Sequence, residues 1–340
     1  MSDWFIYTGQ SAPHQRIDEL PPPPNWRNFK GDDESPDGDT ERRLGSAAFR
    51  LKPDEQTLQM VNAALYLRRP LLISGKPGAG KSSLAYAVAK ELNLGPVLRW
   101  PITSRSTLRD GLYHYDPIAR LGDENLRQLQ RRSTDESGTG GDEGTVASVG
   151  QYIRLGPLGT ALLPGARPRA LLIDEIDKGD FDLPNDLLNI FEEGEYGIDE
   201  LARLSSPAPV TVRTADRDAT ADISGGHVRC KAFPFVVLTS NDEREFPPAF
   251  LRRCLRLDLT DPKEEQVAAI VAAHLGPELA AEARSLIADF ISRRSHTQLA
   301  TDQLLNAVYI ALSGSSRPPQ QTLGGLIESI LRGLSGVRND

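Results

Sequence analysis

Lys81 and Ser82 close an eight-residue run, Gly75 to Ser82, that reads GKPGAGKS. Glycines followed by a lysine and a hydroxyl let backbone N–H groups turn inward around a polyphosphate, with Lys81 reaching the β- and γ-phosphates and Ser82 completing a Mg²⁺ shell. The cradle comprises Gly75, Lys76, Pro77, Gly78, Ala79, Gly80, Lys81, Ser82 and Ser83. About ninety residues later comes the acidic pair Asp174-Glu175. In that pairing Asp174 would orient Mg²⁺ through water, and Glu175 would polarise the water that attacks a γ-phosphate. Asn241 offers a neutral amide that can hydrogen-bond the attacking water or the γ-phosphate without competing for the metal. Two adjacent arginines, Arg252 and Arg253, complete the set.

The elements around these residues explain why they would converge. The loop lies between an apolar run, Pro70 to Ser74, and a helix-forming stretch, Leu84 to Leu92, so a helix N-terminus adds partial positive charge behind it. Val97 to Pro101, Arg169 to Asp174, Phe233 to Ser240 and Cys254 to Leu259 read as four further strands. Continuous apolar strands separated by helices indicate a parallel sheet covered on both faces. In such sheets ligands bind at the carboxyl ends of strands, where Asp174-Glu175 and Asn241 both fall. Arg252 and Arg253 precede their strand, so they point to service on a neighbouring subunit's phosphate. A helix is expected over Asp54 to Leu67, with Leu58, Val61 and Leu65 on its apolar face.

Composition narrows the class. The 340 residues exceed one compact core of typical size, so a main domain with a smaller companion is expected. A formal charge of −8 argues against a surface that coats nucleic acid or anionic membrane. Only Cys230 and Cys254 occur, without bridge or zinc spacing, which suits a reducing compartment and a cytoplasmic protein. No apolar run approaches ~20 residues, and the start MSDWFIYTGQ lacks a secretory pattern, so no membrane span is expected. The histidines lack metal-ligand spacing, so magnesium would arrive with the nucleotide.

Residues 1–48 read as an appendage, with polyproline at Pro21 to Pro24 and an acidic stretch from Gly31 to Asp39. Its aromatic residues, Trp4, Phe5, Tyr7, Trp26 and Phe29 with Ile6, are costly to leave in water, so the arm is expected to dock on its own body or on a partner. An α/β core spans residues 49–262, with a polar, glycine-rich insertion at about 133–150. Within it, residues 195–232 read as a hairpin that joins Pro209 to Arg213 with His227 to Lys231. Arg213, Arg217, Arg229 and Lys231 would make this hairpin basic, fit for an acidic partner segment or a central pore. From Asp261 onward the pattern is helical only, giving a small all-helical domain over 263–340.

Together these motifs resemble the AAA+ ATPases, most closely the MoxR-like branch. The matching segments are Gly75 to Ser82 as Walker A, Leu171 to Lys178 (LLIDEIDK) as Walker B, Asn241 as sensor 1, and PPAFLRRC as the arginine-finger region. MoxR-like proteins usually carry Asp-Arg-Phe where this chain has Arg252-Arg253-Cys254, so Arg253 inherits the finger role, with Arg252 as second candidate. The resemblance implies a P-loop NTPase three-layer sandwich with a parallel five-stranded sheet in order 5-1-4-3-2 and a small all-helical lid. It also implies ATP and Mg²⁺ as cofactors and a homo-oligomeric ring, commonly a hexamer. The lid normally offers a sensor 2 arginine, but the matching helix begins Leu299-Ala300-Thr301-Asp302 without one, leaving Arg293, Arg294 and Arg317 as candidates.

The function expected is a ring-forming ATP hydrolase that remodels or activates a partner protein. By the resemblance, the partner would carry a von Willebrand factor A domain, in a bacterial stress or conflict system. An ATP-gated assembly scaffold with little or no hydrolysis is the alternative. A DNA-directed motor, resting on the basic hairpin, leaves nucleic acid open as a partner.

Overall fold

A computed structural model describes residues 18, 23–27, 44, 53–133, 149–204, 208–294, 299–312 and 320–332. The chain divides into two compact units, one made of Glu55–Ser74 and Val88–Leu257, the other of Met1–Asp54, Gly75–Ala87 and Asp258–Asp340. The phosphate-loop segment therefore groups with the C-terminal helices.

In chain order the helices are α1 (Glu55–Leu67), α2 (Lys81–Glu91), α3 (Leu108–Leu112), α4 (Pro117–Ser133), α5 (Pro157–Ala161), α6 (Leu183–Glu193), α7 (Asp199–Ala202), α8 (Pro248–Leu251), α9 (Glu264–Leu275), α10 (Pro277–Glu282), α11 (Arg284–Arg294), α12 (Thr301–Leu312) and α13 (Gln320–Ile330). The strands are β1 (Leu71–Ser74), β2 (Leu98–Pro101), β3 (Tyr113–Tyr115), β4 (Ile153–Leu155), β5 (Ala170–Asp174), β6 (Glu195–Gly197), β7 (Val210–Arg213), β8 (Thr220–Ile223), β9 (His227–Arg229), β10 (Phe235–Thr239) and β11 (Leu255–Asp258).

The main sheet has the order β11-β1-β10-β5-β2 and is parallel throughout, the order 5-1-4-3-2 that the resemblance implies. Its three central strands, LLIS, FVVLT and ALLID, are buried at every position, as strands covered on both faces must be. The edges differ: β2 alternates buried and exposed residues, and β11 exposes Arg256 and Asp258, which keeps the rims polar. Ile73 pairs with Thr239 and Leu238 with Ile173, so β1, β10 and β5 end together at one edge of the sheet. On α6, Leu183, Leu187, Ile190 and Phe191 recur at helical spacing and join the same core.

Two smaller sheets belong to this unit, and they revise the expected hairpin. Strand β7 turns back onto β8, and the pair continues through β4 to β3 in a four-stranded sheet. Strand β9 pairs instead with β6, antiparallel, from Glu195↔Arg229 to Gly197↔His227. The hairpin partner of β7 is the Thr-Ala-Asp-Ile of β8, a four-residue segment whose alternation rests on Ala221 and Ile223 alone and is too short to mark a strand. Thr214 and Ala219 close its turn through an N–H to carbonyl bond of 2.9 Å. Arg213 and Arg229 are thus divided between two sheets, and Arg229 pairs with Glu195.

Helix α1 buries only part of the face expected, Val61 fully and Leu65 in part. Thr57, Val61 and Ala64 are buried, whereas Leu58 is half exposed. The inner face is set by spacing around Val61 and uses smaller residues than a hydrophobicity count selects.

The second unit has its own core. Val267 and Val271 of α9, Ile287 and Phe290 of α11, Leu304 and Val308 of α12, and Ile327 of α13 meet in one cluster. Trp26 joins it: its indole N–H donates to Asn306 Oδ1 at 3.2 Å, and its ring stands edge-on to His274 and Tyr309. This part of the N-terminal arm docks on its own unit. Trp4, Phe5, Ile6, Tyr7 and Phe29, most of the insertion at 133–150, and Arg317 lie outside the described residues.

Candidate functional site

Ser74 is the last residue of β1 and Gly75 opens the loop without a spacer. Gly75 (φ +142°) and Gly78 (φ +77°) hold backbone that side-chain-bearing residues resist, and neighbours forbid a Cβ at both. A Cβ on Gly75 would lie 2.5 Å from the Leu259 carbonyl oxygen, and one on Gly78 2.7 Å from the Thr301 amide. The Thr301 hydroxyl, at the start of α12, donates to the Gly78 carbonyl at 2.9 Å. Lys81 opens α2 and is buried; its ammonium donates to the carbonyls of Gly75 and of Lys76, the latter at 3.0 Å. Ser82 and Ser83 follow in the first turn, where the helix dipole favours an anion. Lys76 leaves the loop and pairs with Asp261 Oδ2 at 3.1 Å. Pro77, Ala79 and Gly80 complete the turn, closed by an Ala79 N–H to Lys76 carbonyl bond.

Asp261 has a second partner. Its Oδ1 accepts from Arg294 Nη2 at 2.9 Å, and Arg294 is buried over the Phe290 ring. The Nε and Nη1 of Arg294 have no hydrogen-bond partner among the described residues. Arg293 faces elsewhere and pairs with Asp289 along α11.

In the sheet unit the acidic pair ends β5. The Asp174 side chain is 9% exposed, and its charge is balanced by Arg99 of β2, whose Nη2 and Nε reach Oδ2 at 2.7 and 3.1 Å. Thr239, the last residue of β10, donates its hydroxyl to Asp174 Oδ1 at 2.8 Å and accepts the Glu175 amide at 2.9 Å. Glu175 itself has φ +61° and ψ +51°, an uncommon left-handed conformation for a side-chain-bearing residue. Its carboxylate accepts from Lys178 Nζ at 2.8 Å, and this bond raises the Lys178 pKa above its ordinary value.

Asn241 follows β10 and is held through its main chain, its amide donating to Asp177 Oδ2 at 2.7 Å. The same oxygen accepts the Ser240 hydroxyl at 3.0 Å and the Glu243 amide at 3.3 Å. Arg244 answers in the other direction, donating to the carbonyls of Gly179, Asp180 and Ile176. The turns that carry Glu175 and Asn241 are therefore laced together by a carboxylate and a guanidinium. The Asn241 side chain lies 3.4 Å from Glu243 Oε1.

Arg252 and Arg253 sit just after α8. Arg252 is exposed, and its carbonyl accepts from Arg69. Arg253 pairs with Glu192 of α6 and also donates to the Ala249 carbonyl. The bond lowers the Glu192 pKa and raises that of Arg253.

Two residues of the site escaped the sequence reading, Arg99 and Thr239. Thr239 lay inside the strand read over Phe233 to Ser240, but its two bonds span more than sixty residues. Arg99 carried a weaker trace, a lone arginine in an otherwise apolar strand. Each unit by itself holds an oxygen donor that suits Mg²⁺, a hard cation that takes oxygen ligands and keeps most of its waters. Ser82 offers a hydroxyl, and Asp174, whose oxygens already accept from Thr239 and Arg99, suits contact through water.

Among the described residues, no helix is long and apolar enough to cross a membrane. Compared with curated proteins, the sequence matches none. A family model described as the AAA domain, dynein-related subfamily, matches residues 70–254, more than half of the 340. That stretch runs from the residue before β1 to the residue before β11. It holds the phosphate loop, the acidic pair, Asn241 and both arginines. Proteins of this kind generally hydrolyse ATP, usually with Mg²⁺, and commonly form oligomeric rings. The chain belongs to the AAA domain family, dynein-related subfamily.

Proposed function

We propose that the chain is a MoxR-like AAA+ ATPase that binds and hydrolyses ATP as a homo-oligomeric, hexameric ring, and so remodels or activates a partner protein. The amides of Gly75 to Ser83 and the Lys81 ammonium hold the β- and γ-phosphates. Ser82 and Asp174 hold Mg²⁺. When bound, the ion neutralises charge that builds on the phosphate oxygens. Glu175 orients and polarises the attacking water, and Asn241 steadies it from the neighbouring turn. Arg253, with Arg252 beside it, serves the γ-phosphate of the adjoining subunit. A partner with a von Willebrand factor A domain, in a bacterial stress or conflict system of the cytoplasm, fits the MoxR-like resemblance.

The observation that carries this reading is the fixing of Glu175. Its backbone is held left-handed by the Thr239 hydroxyl that also orients Asp174, so the base and the metal acid are positioned by one group. Such pre-organisation is what phosphoryl transfer mainly asks of a protein. The two cysteines are unpaired, and burial pushes the Cys254 thiol up to about 12, which makes it inert rather than a nucleophile.

The test is phosphate release from ATP across protein concentrations for wild type, Glu175→Gln and Arg253→Ala. Turnover should rise cooperatively with concentration and collapse in both variants, and mixing the two should restore part of it. Unchanged turnover in Glu175→Gln sinks the assignment.

One observation favours the ATP-gated scaffold as second reading: Arg253 is engaged by Glu192 of its own chain. On that reading ATP drives assembly, measured by light scattering, with little or no phosphate release. The division of the basic residues between two small sheets removes the single basic hairpin on which a DNA-directed motor rested.

A further inference from the structure

Arg99 and the metal ion seek the same carboxylate. Arg99 pairs opposite Leu172 in the β2–β5 ladder, while Pro101 pairs opposite Asp174. Residues two apart on a strand share a face, so Arg99 meets Asp174 across the diagonal between neighbouring strands. The residue after β2 also grips Asp174 by its main chain, since the Ile102 amide donates to the Asp174 carbonyl at 2.9 Å.

The lone pairs of Asp174 are nearly spoken for. A carboxylate offers about four acceptor positions. Two N–H groups of Arg99 converge on Oδ2, and the Thr239 hydroxyl takes one position on Oδ1. A buried carboxylate needs such partners, because an unpaired charge in this setting is costly. The same partners oppose a cation: Mg²⁺ must either share Asp174 with a guanidinium in contact, or displace that guanidinium. The guanidinium, 37% exposed, has room to withdraw.

We infer that Arg99 is a positioning residue that sets the metal threshold of the site. It stands in for the cation on Asp174, keeping the carboxylate aimed, and it raises the Mg²⁺ concentration at which the site loads nucleotide. This rests on the nucleotide reading above. A guanidinium, cationic and without a lone pair to offer, is not a metal ligand. Its effect is the positive charge it holds against the acid that the metal needs.

The experiment is a Mg²⁺ titration of the affinity for a fluorescent, non-hydrolysable ATP analogue, on the full chain and its Arg99→Ala and Arg99→Lys variants. Arg99→Ala should lower the Mg²⁺ midpoint roughly three- to ten-fold, the scale of a charge-assisted pair that is partly exposed. Arg99→Lys keeps the charge and should stay near wild type, which separates charge from the geometry of the fork. In thermal melts without nucleotide or Mg²⁺, Arg99→Ala should melt below wild type, and saturating Mg²⁺ with analogue should close that gap. A midpoint that is unchanged or raised in Arg99→Ala overturns the inference. If that variant does not fold, Arg99→Gln, also neutral, takes its place under the same criterion. Wild type that shows no Mg²⁺-dependent binding overturns the nucleotide reading and this inference together, whereas binding with an unmoved midpoint overturns the inference alone.

Discussion

Thr239 and Glu175 are joined across neighbouring strands by a single bond, the Glu175 amide donating to the Thr239 hydroxyl oxygen at 2.9 Å. The hydroxyl proton goes to Asp174, so one group ties the Asp174 carboxylate to the backbone of Glu175. Thr239→Val keeps the shape and removes both bonds. Glu175 should lose its left-handed anchor, and turnover should fall roughly 10- to 100-fold, the scale set by misplacing a catalytic group. Affinity for an ATP analogue should hardly change. Steady-state kinetics beside a binding titration separates the two quantities.

Gly78 and Gly80 predict unequal costs for the same change. Alanine at Gly78 meets the backbone of Ala300 and Thr301 at 2.9 and 2.7 Å, so the loop or the start of α12 must shift. Alanine at Gly80 meets nothing within 4 Å and carries only the strain of φ +89°, about 1–2 kcal/mol. ATP-analogue affinity should drop about tenfold or more in Gly78→Ala, and less in Gly80→Ala, as read by calorimetric titration.

Asp177 uses one oxygen for three bonds, while its buried Oδ1 has no hydrogen-bond partner among the described residues. One oxygen is therefore enough. Asp177→Asn should stay within about 1 kcal/mol of wild-type stability, whereas Asp177→Ala should lose about 1–3 kcal/mol and slow turnover by freeing both turns. Denaturant melts compare the two, and equal losses would contradict the single-oxygen account.

His274 lies buried beside Trp26, and desolvation lowers its pKa from the ordinary 6.5. The folded state thus resists the proton that the unfolded chain accepts. Stability is fully present above the unfolded value and is lost as pH falls from 6.5 through the lower folded value. Calorimetric melting of the helical unit should decline over that window in wild type. In His274→Gln the decline should be smaller.

The main sheet was legible because its three central strands are unbroken apolar runs, and the phosphate loop because glycine, lysine and serine follow one another locally. Strand order was not readable from those residues; it came with the resemblance. Where the reading failed, the deciding contacts are distant. Strand β9 pairs with β6 some thirty residues back, and β8 becomes a strand only because β7 supplies its ladder. Asp174 and Glu175 could be named from sequence, but Thr239 and Arg99, which aim and balance them, sit on other strands. Asn241 was chosen for its amide, yet its backbone N–H makes the bond that ties the turns.

The seating of Trp26 makes the molecule optically divisible. Of the three tryptophans, Trp100 is buried in the sheet unit and Trp26 is packed in the helical unit, while Trp4 lies outside the described residues. With Trp4 and Trp100 replaced by phenylalanine, emission reports the helical unit alone through the ring environment of Trp26. With Trp4 and Trp26 replaced, it reports the sheet unit. The two spectra let ligand-induced changes be assigned to one half of the chain without any added dye.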